Sequence, residues 1–299
     1  MPRCVFLLGK GGVGKSTLAA VLALYRARLK NQSVRLISLD PAHNLSDIFQ
    51  VPLGEKPRII IKNLKVQQID VQKWMHRYIK SASDKIKSTY RYLTAVNLDR
   101  HLDILQHAPG IEEYAMILAY EHTYEKYISD YLIFDLPPTG LALRFFNLPQ
   151  LSLVWLRKLA ELRSTIIKKR DLITQIKLGK KRIERDKISR HLQREIDRYV
   201  SLQSIFQNRK KSLLYIITNP DPLARNETEF IKIRLGKLGI QPAAVILNKV
   251  KPDHDLSDSP DHMQTGERAI FKTASQSVVG LNALDDFITQ NEQILAGLD

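Results

Sequence analysis

The stretch Gly9-Lys10-Gly11-Gly12-Val13-Gly14-Lys15-Ser16-Thr17 decides the fold of this 299-residue chain. It follows a short apolar run at residues 4–8 and precedes a segment, 17–29, whose apolar residues recur with helical spacing. A strand, a glycine-rich turn and a helix in this order form a phosphate-binding loop, whose pattern is G-x-x-x-x-G-K-[ST]. We therefore predict that a nucleotide binds at the start of the first helix, where the helix dipole favours an anion.

Each residue type in this loop has a chemical reason to be there. Glycines let backbone N–H groups approach and surround phosphate oxygens without interference from a Cβ atom. Lys15 is expected to reach the β- and γ-phosphates, and the Ser16 hydroxyl to ligate Mg²⁺. The predicted nucleotide contacts in the loop are Gly11, Gly12, Val13, Gly14, Lys15, Ser16 and Thr17.

Lys10 is a second lysine, which an ordinary phosphate-binding loop lacks. It can be a solvated loop residue. Alternatively, it can point across a dimer interface at the phosphates of a partner's nucleotide, adding positive charge where negative charge develops during the reaction. The loop alone leaves both interpretations open.

The remainder of the chain alternates strand and helix patterns, which predicts an α/β fold with a mostly parallel sheet covered by helices on both faces. The predicted strands lie near 3–8, 33–39, 64–70, 130–135, 212–218, 243–248 and 269–274, and the clearest helices near 15–30, 111–128, 222–238 and 281–294. Two stretches without a strand pattern, 71–108 and 150–211, predict a helical subdomain inserted between strands. The whole chain, 1–299, is expected to form one nucleotide-binding domain, with 251–267 as a surface loop.

Two aspartates follow predicted strands, where parallel sheets place their ligands. Asp40 ends the strand near 33–39 and Asp135 ends the strand near 130–135. Carboxylates at these positions can hold Mg²⁺ or its waters, although aspartate is also common in turns and helix caps. Together with Ser16, they are the predicted metal ligands.

Longer motifs surround these residues and identify a family. The strings Asp40-Pro41-Ala42-His43-Asn44-Leu45-Ser46-Asp47 and Asp135-Leu136-Pro137-Pro138-Thr139-Gly140 accompany the two-lysine loop, and further matches lie at 109–113, 143–149, 220–228, 247–248 and 280–281. Together they resemble the arsenical pump-driving ATPases and the tail-anchored-protein targeting ATPase, and more distantly the septum-site and chromosome-partitioning ATPases. The resemblance covers most of the chain and implies the fold of a P-loop nucleoside triphosphatase.

The resemblance implies a role for several residues. Asp47 would orient the attacking water, so that Asp47, Lys10 and Lys15 are the expected catalytic residues, and Lys10 would act within a homodimer closed by ATP. Asn248 would contact adenine, and Pro220 would lie near the base or the dimer face. Lys251 stands where a guanine-reading N-K-x-D pattern needs aspartate, which favours ATP over GTP as the cofactor. His43 is assigned no catalytic step.

Cysteine content separates this chain from parts of that family. Cys4 is its one cysteine and lies in a predicted buried strand. A zinc-binding C-x-x-C pair and a thiol cluster for arsenite are both missing from the sequence, so we expect neither zinc nor arsenite as a ligand, nor an iron–sulfur cluster. Leu141 also departs from the family, because the targeting ATPases usually have histidine at this position.

Positive charge is concentrated in the second helical stretch. Residues 157–211 contain eighteen Lys and Arg against six Asp and Glu, a net charge of +12 out of +15 for the chain. These side chains can form a solvated helical face or attract an acidic protein, nucleic acid or anionic lipid. The stretch also carries apolar residues at three- and four-residue intervals: Leu159, Leu162, Ile166, Ile173, Ile176, Ile183, Ile188, Leu192, Ile196 and Tyr199. Such stripes usually pack in a core, but they can also form a groove for a client helix.

Three functions follow as alternatives, all including ATP hydrolysis. The helical subdomain can bind a client protein or membrane-protein segment, its basic helices can bind nucleic acid or an anionic membrane, or the protein can regulate one acidic protein partner. The family resemblance favours the first. Because the chain has no apolar run near the roughly 20 residues that span a bilayer and enters a strand at once, we expect a cytoplasmic protein.

Overall fold

The computed structural model describes residues 2–42, 44–89, 108–178, 186–251, 267–274 and 276–298. The strands in these ranges are β1 Arg3–Leu8, β2 Val34–Ser38, β3 Arg58–Ile61, β4 Leu64–Gln68, β5 Tyr131–Asp135, β6 Ser212–Thr218, β7 Ala244–Val250 and β8 Glu267–Lys272. The helices are α1 Lys15–Leu29, α2 Leu45–Phe49, α3 Val71–Thr89, α4 Ile111–Lys126, α5 Thr139–Leu178, α6 Lys187–Gln207, α7 Pro222–Lys237, α8 Leu281–Gln290 and α9 Glu292–Ala296.

The eight strands form one sheet in the order β3-β4-β2-β5-β1-β6-β7-β8. All neighbouring pairs are parallel except β3 and β4, which are antiparallel. β1 lies near the centre, between β5 and β6, so the glycine-rich loop that follows β1 emerges from the middle of the sheet. The predicted α/β fold with a mostly parallel sheet is confirmed.

Successive side chains of a strand point to opposite faces of the sheet. Here both faces carry apolar side chains, and helices cover both of them. On β1, Val5 and Leu7 join a core formed with α1, α8 and α9. Cys4, Phe6 and Leu8 point the other way, into a core that includes residues of α3, α4, α5, α6 and α7. Every one of these five side chains is buried, which explains why the run at 4–8 is continuously apolar.

Aromatic rings fill the second core. Phe6 stacks on Phe134 of β5 at a centroid distance of 5.2 Å and meets Phe146 of α5 edge-on at 5.3 Å. Phe206 of α6 is also edge-on to Phe6, at 5.7 Å. The long helices α5 and α6 are therefore anchored on the sheet by large side chains near one end of each helix.

The sequence prediction missed β3. This edge strand pairs with β4 through a short turn, and its residues are exposed or half-buried. The apolar run in this strand, residues 59–61, is only three residues long, shorter than the runs of four or more that indicate a buried strand. Most of the predicted surface loop at 251–267 lies outside the described residues.

The described parts of the two helical stretches are helices, with limits that differ from the predicted ones. α5 begins at Thr139 rather than near 150 and contains Pro149, and α3 accounts for the described part of 71–108. α5 packs against α6, and Arg163 of α5 forms a two-bonded ion pair with Asp186 at 3.0 and 3.1 Å. Asp186 also caps the start of α6. Residues 90–107 and 179–185 lie outside the described chain.

The apolar stripe on these helices is only partly a core. Leu159, Leu162 and Ile166 of α5 and Ile188 of α6 are between 45% and 58% exposed, whereas Tyr199 is buried. The interpretation of this stripe as core packing is therefore wrong for its first members. Ile173, Ile176 and Ile183 lie outside the described side chains. Across the described residues, no helix is both long enough and apolar enough to cross a membrane.

Candidate functional site

Strand order brings the motif residues together at one edge of the sheet. β2, β5 and β1 are consecutive neighbours, and their carboxyl ends carry Asp40, Asp135 and the loop 9–14 respectively. β6 and β7 lie on the other side of β1, so that the segment after β6 and the end of β7 border the same loop. This arrangement explains why residues far apart in the sequence form one site.

Two glycines of the loop are required by close packing. A Cβ atom on Gly9 would lie 2.1 Å from the backbone oxygen of Ile217 in β6, and one on Gly14 would lie 2.5 Å from the side-chain nitrogen of Asn248 in β7. Gly11 and Gly12 would meet nothing within 4 Å. The loop is therefore held against the sheet at both ends, while its middle faces open space, where a phosphate group can be received.

The two lysines of the loop differ in burial. Lys15 is buried, and its Nζ donates to the backbone oxygen of Lys10 at 3.2 Å. Burial lowers the pKa of Lys15, while the negative charges of Asp135, Asp40 and Glu227 oppose that shift. Lys10 is exposed. Lys15 thus lies inside the site, whereas Lys10 lies at the protein surface.

Asp135 is the most deeply buried charged group of the site. Burial raises the pKa of Asp135 to about 7, with hydrogen bonding to Ser16 opposing the shift and the charge of Asp40 adding to it. Ser38 donates to one carboxylate oxygen at 3.3 Å and accepts from the backbone nitrogen of Asp40 at 3.2 Å. A cation bound nearby would lower this pKa, because it stabilises the ionised carboxylate.

The residues predicted to hold Mg²⁺ fit that ion. Ser16, Asp40 and Asp135 are all buried and close enough for their charges and hydrogen bonds to shift the pKa of Asp135. Among the described residues, the second carboxylate oxygen of Asp135 has no hydrogen-bond partner. Within the described residues, no group of three or more His, Cys, Asp or Glu side chains is placed so that it could hold a metal ion by itself. Mg²⁺ needs only one or two carboxylates when phosphates and water complete its shell.

β7 supplies two side chains that support the loop. Asn248 donates from its side-chain nitrogen to the backbone oxygen of Val13 at 2.8 Å, and Lys249 donates to the backbone oxygen of Gly12 at 2.8 Å. Lys249 has a φ of +57°, which non-glycine residues rarely adopt. In the sequence, Lys249 stood out only as part of the incomplete guanine-reading pattern N-K-x-D at residues 248–251. Its position directly after Asn248 was the signal that could have revealed its role.

A cleft next to the loop has the size expected for part of a nucleotide. It encloses about 260 Å³ between Gly14 and Thr17 on one side and Asn248 with residues 272–274 and 276–279 on the other. The amide of Asn248 thus lies at the boundary of the loop and the cleft. Because the cleft continues from the phosphate loop, it is the candidate position for the base.

Other predicted residues lie at the rim. Asp47 is in the first turn of α2 and is exposed, while Leu45, Ile48 and Phe49 of the same helix are buried. Pro220 is half-buried in the segment that links β6 to α7. His43 lies outside the described residues. The sequence expectations for Asp47 and Pro220 remain predictions.

One polar pair near the loop was not foreseen. The hydroxyl of Thr139, at the start of α5, donates to Glu227 of α7 at 2.5 Å. The charge of Glu227 also raises the pKa of Lys15. This bond links the two helices that flank the carboxyl ends of β5 and β6, directly beside the buried lysine.

The single thiol does not belong to the site. Cys4 is buried in β1, where burial raises its pKa to about 12, although a contact with the hydroxyl of Tyr120 at 3.6 Å opposes the shift. A thiol with this pKa stays protonated at neutral pH and is a poor metal ligand. Its side chain points into the core shared with α4 and α5.

Comparison with known proteins agrees with this geometry. Residues 2–295 match the family model described as anion-transporting ATPase. Over 265 residues the chain is 29% identical to "Putative arsenical pump-driving ATPase 1" of Aquifex aeolicus, covering 84% of this chain and 64% of that protein. It is 28% identical to "Putative arsenical pump-driving ATPase 2" of the same organism, over 95% of this chain and 97% of that one. The "ATPase ASNA1 homolog" of Entamoeba histolytica is 27% identical over 86% of this chain and 79% of its own length.

Proposed function

This chain belongs to the anion-transporting ATPase family, and from that premise we propose that it is an ATP-driven switch which closes as a homodimer and holds an apolar protein segment on α5. The sequence motif, the open glycine loop and the cluster of Ser16, Asp40 and Asp135 support Mg·ATP as the nucleotide. The observation that carries the client-binding part is the exposed apolar stripe of α5.

The position of Lys10 supports a switch that closes between two subunits. The exposed side chain of Lys10 leaves the loop on the solvent side, while its backbone oxygen is engaged by Lys15. Positive charge at this position can reach the phosphates of a facing subunit more readily than those bound in its own loop. Such a group stabilises charge that develops during phosphoryl transfer, as other trans-acting cations do.

Replacement of Lys10 tests the dimer. We expect Lys10→Ala to bind ATP within about twofold of the wild type but to lose most of its concentration-dependent hydrolysis, on the order of 10²-fold or more. The measurement is the specific activity as a function of protein concentration, with equilibrium nucleotide binding in parallel. Lys249→Ala is the comparison variant: Lys249 binds the same loop from within the subunit, so any loss that it causes should not depend on protein concentration. Unchanged specific activity in Lys10→Ala would contradict a trans role.

The exposed stripe of α5 supports the binding of an apolar segment. Its members are Leu151, Val154, Trp155, Leu159, Leu162 and Ile166, each between 45% and 66% exposed. They recur at three- and four-residue intervals and so lie along one side of the helix. An isolated exposed leucine needs no explanation, but a contiguous stripe of six large apolar side chains marks an interaction surface.

Charge around the stripe favours a protein segment with acidic flanks over a purely apolar one. Lys158, Lys168, Lys169 and Arg170 lie on the same helix, and among the described side chains of this region Lys158 pairs with Glu161. Basic flanks steer an acidic partner, while the stripe supplies the apolar contact. Nucleic acid would contact the basic side chains through its phosphates but would leave the apolar side chains of the stripe without a partner.

A double substitution tests the client surface. With the hydrolysis-impaired Asp47→Asn protein and ATP, we expect a labelled 18-residue Leu/Ala peptide with acidic flanks to bind. Leu159→Glu/Leu162→Glu should weaken this binding at least about tenfold, because two large apolar contacts are lost. The measurement is fluorescence anisotropy at two salt concentrations. Ile59→Glu is the control, since Ile59 is exposed on β3, far along the sheet.

The same assay separates the alternatives. Steeply salt-dependent binding of duplex DNA or of anionic vesicles, with no binding of the peptide, would replace the client proposal by a nucleic-acid or membrane switch. Equal peptide binding by the double variant would show that the stripe is not the binding surface.

A further inference from the structure

A second cleft, separate from the nucleotide site, lies between α5 and α7. It encloses about 330 Å³, which is within the range of small-molecule sites. Gly140, Arg144 and Asn147 line it from α5, and Phe230 and Arg234 line it from α7. Since each set recurs every three or four residues, two facing helix sides form the cleft.

Three cations surround this cleft. Arg144 stands on α5, and Arg234 and Lys237 stand in the last turn region of α7. Among the described residues that line the cleft, none is acidic. Glu113 of α4 pairs with the Nε atom of Arg144 from outside the cleft, which fixes the guanidinium and leaves its terminal nitrogens as further donors. Since Glu113 balances the charge of Arg144, the positive charge that no acidic lining residue offsets comes from Arg234 and Lys237, and it attracts an anion.

The remaining walls are suited to an apolar body. Leu143, Phe230 and Leu238 contribute apolar surface, and the guanidinium of Arg234 lies 5.1 Å from the ring centroid of Phe230. A planar guanidinium held beside an aromatic ring presents its donors in a fixed direction, which suits the paired oxygens of a phosphate or carboxylate. The amides of Asn147 and Gln150 add polar groups at the rim.

We propose that the cleft between α5 and α7 binds a small molecule that carries a phosphate or carboxylate group on an apolar body. Arg144, Arg234 and Lys237 hold the oxyanion, and the side chains of Leu143, Phe230 and Leu238 contact the apolar part. This site is distinct from the glycine loop, so anion binding here does not depend on the function proposed above. The occupant bridges the two helices that Thr139 and Glu227 join beside the nucleotide site.

Isothermal titration of the full chain tests this site with simple probes. The protein is first saturated with Mg·ADP, which occupies the glycine loop, and is then titrated with phenyl phosphate, phenylacetate or benzyl alcohol. We expect at least one of the two anions to bind and the neutral alcohol to bind at least about tenfold more weakly, because the charged group supplies most of the affinity. Binding of one anion only identifies phosphate or carboxylate as the natural group.

Substitutions on α7 locate the binding. Arg234→Gln/Lys237→Gln is expected to weaken binding of the anion at least about tenfold. Both residues are exposed, so the fold should be retained, and the single variant Lys237→Gln gives a smaller loss should the double variant be unstable. Lys232→Gln removes a charge from the same helix outside the cleft and should change the affinity less than about twofold.

Three results would overturn the proposal. One is the absence of binding by both anions, and another is benzyl alcohol binding as tightly as the anions. The third is an unchanged affinity in Arg234→Gln/Lys237→Gln and in Lys237→Gln.

Discussion

The Asp47→Asn protein is expected to bind ATP as tightly as the wild type and to hydrolyse it about 10²- to 10⁴-fold more slowly, the range for loss of a positioned acid–base group. Phosphoryl transfer to water depends on orienting the nucleophile in line with the γ-phosphate, and a carboxylate accepts a hydrogen bond from that water. Asparagine has nearly the same shape but lacks the charge. The measurement is steady-state phosphate release together with equilibrium ATP binding.

The position of Asp47 allows an effect on the reaction to be distinguished from an effect on stability. Its side chain is exposed, and α2 is held in place by the buried side chains of Leu45, Ile48 and Phe49. The substitution therefore leaves the packing of α2 intact and removes only a favourable charge near a helix N-terminus, worth about 0.3–1 kcal/mol. A loss of turnover without a loss of stability assigns the effect to the reaction.

Asp197→Asn is the matched control for this variant. Asp197 is exposed on α6, where it accepts a hydrogen bond from Gln193. It should lower neither turnover nor ATP binding. If Asp47→Asn hydrolyses ATP at the wild-type rate, the water-orienting role taken from the family resemblance is wrong.

The fold was predictable wherever the sequence carries a strong periodic signal. The buried strands β1, β5 and β6 contain continuous apolar runs of four or more residues. The family resemblance and the ATPase activity that it implies agree with the match over residues 2–295. The apolar run of the edge strand β3, residues 59–61, is only three residues long and therefore gave a weak signal. The early start of α5 was hidden by Pro149, which usually ends a helix but here lies within one.

The site was predictable only in part, because sequence identifies residue types and not their contacts. Parallel strand order predicts that Ser16, Asp40 and Asp135 lie close together, and in the structure they do. The support of the loop by Lys249 and the bond between Thr139 and Glu227 depend on side-chain directions across the sheet, which no local pattern encodes. The exposure of the α5 stripe likewise depends on what packs against it.

The glycine loop itself gives the second large effect. We expect Gly9→Ala to lower the free energy of unfolding by about 2–5 kcal/mol, since an added methyl group overpacks a tight contact and a positive φ disfavours any side chain. At Gly9 the φ is +154° and the new Cβ atom would lie 2.1 Å from the backbone oxygen of Ile217. Neither backbone segment can move without disturbing the central pairing of β1 with β6.

Two neighbouring glycines separate the contributions to this effect. Gly12 has a φ of +81° but nothing within 4 Å, so Gly12→Ala should cost only the strain of the backbone, about 1–2 kcal/mol. Gly11 also has open space around a Cβ atom and needs no such φ, so Gly11→Ala should change stability by less than about 1 kcal/mol. Urea denaturation followed by circular dichroism gives the three values. Equal losses at Gly9 and Gly11 would mean that the loop is not pressed against β6, and that the glycines serve only the approach of phosphate.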